Sequence, residues 1–322
     1  IGTSWITRAF IGGISLLPDK YILTAVYSRE KSRAEELLKE TGKSAEIYLN
    51  LEEMAKSDNI DAVYIASPNK FHYEQSKLFL LNNKNVICEK PATTTKAEME
   101  ELYDLAERKG LIYCEAIMTI HTDGFKKIKE NLTKLGRVRT AHFDFCQLSS
   151  KYQSYLDGKN PNIFNPEMNT GCLMDIGVYN LYLAASLFGK PQSIVSDCIK
   201  LPNGCDASGF AGFKYSDKTV ILNYSKVGQT YSYSEIIGDT GTLRFDSVSQ
   251  LTDLTFVHKD KEERLIDRDV PKDVIMGGEV RFFVNMCNYK DYASEEYVFS
   301  KDCALTVREI CDVIRKQNNF LF

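Results

Sequence analysis

Up to about residue 120, short apolar runs alternate with amphipathic stretches of helical period, and no other feature limits the fold of this chain as much. Strands are expected over residues 21–27, around Ile47-Tyr48-Leu49, and over 60–66, 86–88 and 111–116. Between them lie helical patterns: one through Phe10, Ile14 and Leu17 that ends at Pro18-Asp19, one through Ala34, Leu37 and Leu38 that stops at Gly42, and others over 51–56, 72–81 and 96–109. Strands that alternate with helices of this length predict βαβ units, a doubly wound parallel sheet and right-handed crossovers. Such a sheet needs a central first strand. The chain opens at Ile1-Gly2 with almost no strand before the glycine, so several N-terminal residues are expected to be missing from the sequence.

Beyond about residue 120 the pattern changes. A helix over 124–132 precedes Gly136, and longer alternating runs predict strands over 138–148, 193–201, 209–215, 219–227, 232–237, 242–246 and 254–259. Tight turns such as Ser216-Asp217-Lys218 and Gly238-Asp239-Thr240-Gly241 separate several of them, which reads as a large, mostly antiparallel sheet. A loop rich in Asn, Pro and Tyr over 152–169 and a helix over 173–188 interrupt it, and helices over 278–289 and 303–316 close the chain.

With 322 residues, 43% of them hydrophobic, the chain can build two domains with a substantial core. A net charge of −4 with both signs interspersed argues against a nucleic-acid surface or an anionic-membrane patch. No apolar run approaches the ~18 residues of a membrane span, and no signal peptide is visible. Nine cysteines without CxxC pairs or His-rich spacing point to reduced thiols in a cytoplasmic protein and to no metal site.

Open α/β sheets bind ligands just beyond the carboxyl ends of their strands, and the polar residues there are the candidates. Cys88-Glu89-Lys90-Pro91 closes the 86–88 strand; its proline holds Lys90 extended and allows a cis bond. Gly2-Thr3-Ser4, leading into Trp5 and Ile6, stands where a phosphate-binding turn would stand. Only the first of three expected glycines is present, with Ser4 and Thr7 in the other two places. Backbone N–H groups and the helix dipole can still hold a phosphate there. At the end of the second strand, Ser28 and Arg29 replace the acidic residue that would bind a ribose 2′-hydroxyl. A guanidinium pairs with a 2′-phosphate, which favours NADP over NAD; alternatively Arg29, Lys31 and Arg33 only solvate the start of a helix. Ser67-Pro68-Asn69, followed by Lys70-Phe71-His72, forms a further strand-end turn suited to a polar ligand, with His72 either binding there or structural.

Taken together, these residues resemble the Gfo/Idh/MocA oxidoreductase family over nearly the whole chain. The resemblance rests on Gly2-Thr3-Ser4, Ser28-Arg29, the 67–72 turn, Glu89-Lys90-Pro91, the strand ending at Glu115, and Gly171-Cys172-Leu173-Met174-Asp175-Ile176-Gly177-Val178-Tyr179. It implies an N-terminal Rossmann domain, here 1–118, and a C-terminal α+β domain with a large open sheet, here 119–322, which binds substrate and dimerises. The helix over 303–316 is expected to pack back on the first domain. The resemblance further implies hydride transfer between a nicotinamide and a sugar, polyol or related alcohol. Lys90 would reach the reacting oxygen, and Asp175 and Tyr179 would line the substrate pocket. Tyr179, where many members carry His, is similar to the subgroup of dimeric dihydrodiol dehydrogenase and glucose–fructose oxidoreductase. Three departures concern mainly the substrate: a glycine-rich stretch reduced to Asn169-Thr170-Gly171, Ile163 in place of a frequent Arg, and the two glycines lost from the phosphate turn.

Asp175 and Tyr179 are four apart, so on a helix they share one face. Tyrosine, with an ordinary pKa of ~10, is a sluggish base at neutral pH unless a nearby ammonium stabilises the phenolate. Tyr179 then exchanges the proton while Lys90 binds the oxygen, or Lys90 itself is the acid. Asp175 binds a substrate hydroxyl and orients Lys90; alternatively Asp175 only caps or pairs locally and Tyr179 belongs to the core. Glu89 either hydrogen-bonds the cofactor or holds the strand end. Glu115 and His121 fall near the expected domain junction, His121 reading as structural. A homodimer would cover the exposed face of the large sheet. The competing class is a nicotinamide-binding sensor or assembly protein that has lost catalysis, favoured by the eroded glycine turn and opposed by Lys90, Asp175 and Tyr179.

Overall fold

The computed structural model describes residues 1–17 and 20–320, and the expected helix stop at Pro18-Asp19 lies outside them. The chain forms two compact units. The first gathers Ile1–Thr93, Ala97–Ile117 and Pro271–Lys301; the second gathers Thr94–Lys96, Met118–Val270 and Asp302–Phe322.

The first unit runs α1 (Trp5–Ser15), β1 (Ala25–Tyr27), α2 (Lys31–Thr41), β2 (Glu46–Tyr48), α3 (Leu51–Lys56), β3 (Ala62–Ile65), α4 (His72–Leu81), β4 (Asn85–Glu89), α5 (Lys96–Arg108) and β5 (Tyr113–Ala116). β1 pairs with β2, and β3, β4 and β5 form a second sheet in that order, all parallel. Ile1 and Gly2 join the two groups. Gly2 N donates to Tyr27 O (3.3 Å), Ile1 N to Tyr64 O (2.7 Å), and Ala66 N to Ile1 O (2.9 Å). β1 is shorter than the expected 21–27 because its partner β2 offers only three residues to pair with. Every residue of β4 and β5 is buried, as befits strands covered on both faces.

The second unit continues with α6 (Asp123–Asn131), β6 (Val138–Cys146), α7 (Tyr152–Leu156), α8 (Val178–Phe188), β7 (Ser193–Lys200), β8 (Asp206–Lys214), β9 (Thr219–Ser225), β10 (Ser234–Gly238), β11 (Thr242–Phe245), β12 (Thr255–His258) and β13 (Lys261–Arg264). Its sheet has eight strands in the order β13-β12-β11-β10-β6-β9-β8-β7, antiparallel except for β6 beside β9. β13 is unforeseen. All four of its residues are charged and exposed, so no hydrophobic alternation marks it, and only pairing with β12 defines it. The loop expected over 152–169 holds α7 and two 3₁₀ turns, Asn162–Phe164 and Pro166–Met168. The stretch Pro166–Phe188 has the length and apolarity of a membrane-crossing helix, but 78% of its most apolar window is buried within the protein.

Two helices close the chain, α9 (Lys272–Tyr289) and α10 (Glu295–Gln317), and both begin earlier than expected. α9 extends through Gly277-Gly278, residues that propensity treats as helix-weakening. Packing overrides propensity: a Cβ on Gly13 of α1 would lie 3.2 Å from Gly277 N, so the two helices cross where both are glycine. Pro271–Lys301, with α9 and the start of α10, belongs to the first unit, and the chain from Asp302 onward to the second.

Candidate active site

In the first unit the candidate residues collect at the carboxyl ends of β3 and β4. β4 ends at Glu89, and the Lys90-Pro91 bond that follows is cis. Three neighbouring elements hold this corner. From β3, Tyr64 Oη donates to Glu89 Oε1 at 2.5 Å. From α4, His72 Nδ1 lies 2.9 Å from Pro91 O. From β5, Glu115 Oε1 accepts the Ala92 N–H at 2.8 Å. These partners fix rather than follow the turn: His72 is 1% and Glu115 2% exposed, and the half-buried Tyr64 ring stacks on Phe10 at 3.7 Å between centroids.

His72 also ties the other candidate turn to this one, because its Nε2 lies 2.6 Å from Ser67 O. The ring thus bridges the Ser67-Pro68-Asn69 turn and the Pro91 turn through their carbonyls, with both nitrogens engaged. Burial pulls its pKa down, against the two carbonyls, which favour the charged ring. Ser67 Oγ is itself held, donating to Gln75 Oε1 at 2.7 Å.

The phosphate turn keeps the one glycine it cannot replace. Gly2 has φ +94°, and a Cβ there would stand 2.5 Å from Ala66 O. Thr3 O accepts from Arg8 Nη1 at 2.7 Å, which braces the turn from inside α1. Ser4 is the extended N-cap of α1 and its side chain makes no capping bond, so the first-turn N–H groups of an 11-residue helix face outward with no acidic side chain among them. Trp5 is exposed and Ile6 half-buried. Those features fit a dinucleotide pyrophosphate. At the end of β1, Ser28 Oγ accepts the Glu30 N–H at 3.2 Å. Arg33 pairs with Glu30 (3.1 Å) and Lys31 with Glu35 (3.6 Å), while Arg29 is exposed and makes no ion pair among the described residues. Arg29 is thus the cation of this group that suits a 2′-phosphate.

Asp175 and Tyr179 belong to the second unit. Asp175 does not sit in ordinary α-helix. It lies in a π-helical turn, Leu173–Gly177, that runs directly into α8 and Tyr179. Such turns cost regular hydrogen bonding and recur at functional sites. Two residues that sequence reasoning missed build this one. Asp206, at the start of β8, accepts the Leu173 N–H at 2.7 Å, and burial pushes its pKa up to about 6. A Cβ on Gly171 would stand 1.8 Å from Asp206 Oδ1, so the glycine of this motif makes room for that carboxylate. Lys226, just beyond β9 and 7% exposed, donates through Nζ to Asp175 Oδ2 and forms an ion pair with it. Tyr179 is 7% exposed, its ring 5.6 Å from Phe145. His121 is half-buried, and loss of water around its ring pulls its pKa down to about 4, which leaves it neutral at working pH.

Two family models match the chain: the oxidoreductase family with an NAD-binding Rossmann fold over residues 1–116, and the GFO/IDH/MocA C-terminal domain over residues 125–244. The uncharacterized oxidoreductase YgjR of Escherichia coli strain K12 is 42% identical over 257 residues, 80% of this chain and 78% of that protein. The scyllo-inositol 2-dehydrogenase (NADP(+)) IolU of Bacillus subtilis strain 168 is 37% identical over 322 residues, 100% of this chain and 97% of its own. A crystal structure of a 3-ketoreductase from Actinomadura kijaniata shares the fold, with a TM-score of 0.84 at 21% identity, covering 98% of this chain and 96% of that one. With a Rossmann unit, an eight-stranded C-terminal sheet and full-length relatives of this closeness, the chain belongs to the Gfo/Idh/MocA family of oxidoreductases.

Proposed function

We propose that this protein is an NADP-dependent dehydrogenase acting on a polyol or sugar, with Lys90 binding the reacting oxygen and Tyr179 exchanging its proton. The observation that carries the reading is the braced corner at Glu89-Lys90-Pro91: Tyr64 of β3 holds the Glu89 side chain, and His72 of α4 and Glu115 of β5 hold the backbone just after Lys90. Preorganisation of this kind is what electrostatic stabilisation of a developing alkoxide requires. The whole-length likeness to an NADP-dependent inositol dehydrogenase supports the substrate class and the cofactor.

Gly2, Thr3, Ser4, Trp5 and Ile6 would hold the pyrophosphate, Ser28 and Arg29 the ribose 2′-phosphate, and the Ser67-Pro68-Asn69 turn with Glu89 the nicotinamide side. His72 contributes by pinning the turns. The bound nicotinamide supplies or accepts the hydride. In the oxidation direction the alcohol O–H proton passes to Tyr179, and the Lys90 ammonium stabilises the negative charge that builds on oxygen. Asp175, ion-paired with Lys226, accepts a hydrogen bond from a neighbouring substrate hydroxyl. That adds a reason for polyhydroxylated substrates.

We further propose a homodimer through the outer face of the C-terminal sheet. Val195 and Ile199 on β7, Phe210 on β8 and Ile221 on β9 are 66%, 70%, 43% and 47% exposed. An apolar face of that kind is a liability for a monomer.

The test follows absorbance at 340 nm with NADP and with NAD, across inositols, pentoses, hexoses and dicarbonyls. Turnover of a polyhydroxylated substrate with NADP preferred by tenfold or more is expected. Tight NADPH binding without turnover across that panel would replace this reading with a sensor.

A further inference from the structure

Just beyond the Lys90 corner the chain leaves the first unit briefly: Thr94–Lys96 belongs to the second. Only Pro91, Ala92 and Thr93 separate this strap from Lys90. Side chains of the second unit fasten it. From α10, Arg315 Nη1 donates to Thr94 O (2.8 Å), Asp312 Oδ2 accepts the Lys96 N–H (3.1 Å), and Glu309 Oε2 pairs with Lys96 Nζ (3.2 Å). These three residues are spaced three apart and share a face of α10, where Arg315 also braces Asp312 (3.2 Å). From the turn before the π-helix, Asn169 Nδ2 donates to Thr94 Oγ1 (2.9 Å).

Asn169 has φ +52° and ψ +44°, in the left-handed region. Glycine enters that region without strain, and asparagine at modest cost. A glycine would therefore serve the backbone; what the asparagine adds is the amide that reaches Thr94. The turn around it is itself pinned. Thr170, 4% exposed, donates through Oγ1 to Asn162 O (2.7 Å), and Gly171 O accepts the Asp175 N–H (3.0 Å). One end of this turn thus holds the strap that follows Lys90, and the other opens the π turn that carries Asp175.

We propose that Asn169 is a positioning residue: its hydrogen bond to Thr94 ties the segment that follows Lys90 to the turn that leads to Asp175, and so limits the freedom of the backbone that presents Lys90. This rests on the reading of Lys90 as the oxygen-binding residue. The α10 contacts act on the strap's backbone and on Lys96, whereas the Asn169 contact joins the strap to the Asp175 motif. A hydrogen bond between neutral groups is a modest tether, while a misplacement of about 1 Å at a reacting group costs about 10²-fold in rate. Losing the tether should therefore slow the reaction by about tenfold rather than abolish it.

The experiment has two readouts on the full chain. Hydrogen exchange of the cofactor-free protein, followed by mass spectrometry, reads the strap directly. Asn169→Gly keeps the left-handed backbone and removes the amide. That variant and Thr94→Val should each speed exchange in the peptide over residues 93–97 by about tenfold, with exchange of β8 and β9 unchanged. Thr94→Ser keeps the hydroxyl and should match wild type. Steady-state kinetics on the best polyol of the substrate panel reads the link to Lys90. In Asn169→Gly and in Thr94→Val, kcat should fall by about tenfold, while KM and the NADPH Kd stay within about twofold. The double variant should be no slower than the poorer single one, as expected of two ends of one contact. Unchanged exchange in both single variants overturns the tether. Faster exchange with an unchanged kcat, or with a loss in KM alone, overturns the link to Lys90. A wild type without turnover would end the proposed reaction and the Lys90 role with it, whereas the tether stands or falls on exchange alone.

Discussion

Lys226 shows how a single residue can decide what a motif means. Asp175 was expected to help orient Lys90; within its own unit it is ion-paired with Lys226, whose side chain is 9% exposed against 24% for Asp175. Removing one member of a buried pair costs about 3–5 kcal/mol, and an exposed pair is worth under about 1 kcal/mol. This half-shielded pair belongs between those limits. Lys226→Met should lower kcat/KM by roughly 10- to 100-fold, equivalent to about 1.4–2.8 kcal/mol, mostly through KM if Asp175 has the substrate-binding role proposed above. Lys226→Arg should restore most of it. Steady-state kinetics of the two variants checks this, and a loss confined to kcat would contradict the binding role.

At the scale of elements, the π turn depends on β8. Asp206 accepts the Leu173 N–H, and Gly171 leaves the space that the carboxylate fills. Gly171→Ala puts a methyl 1.8 Å from Oδ1 at φ +146° and should destabilise the protein by about 2–4 kcal/mol, read as a drop in denaturation midpoint. Wild-type stability would show that the turn can rearrange without Asp206. The elements differ in how far the residues announce them. Buried parallel strands read as apolar runs, which is why 60–66 and 86–88 point to β3 and β4. β13 carries no apolar residue, and α9 contains glycines that only its crossing with α1 explains. The site divides in the same way. Glu89-Lys90-Pro91 and Asp175 stand out locally, at a strand end and in a motif. Asp206 and Lys226 act through partners 33 and 51 positions away, which no local pattern shows. One signal was present: Lys226 falls on the inward parity of the alternation Val220, Leu222, Tyr224.

For the whole molecule, the C-terminal sheet and the proposed chemistry make separate demands. If the outer sheet face joins two copies, Ile199→Glu should shift the protein from dimer to monomer in sedimentation velocity, with the cofactor-binding unit intact by NADPH titration; a monomeric wild type would remove the dimer from the account. The chemistry turns on Lys90 and Tyr179 acting on one reacting oxygen. The direct test is a double-mutant cycle of kcat/KM with Lys90→Met, Tyr179→Phe and both together, on the best polyol from the substrate panel. Each single variant should lose about 10²- to 10⁴-fold, the range for a positioned acid–base group. The double variant should lie within about tenfold of the poorer single one, because residues that act as a unit are not additive. Losses that multiply, or a single variant within a few-fold of wild type, would contradict it.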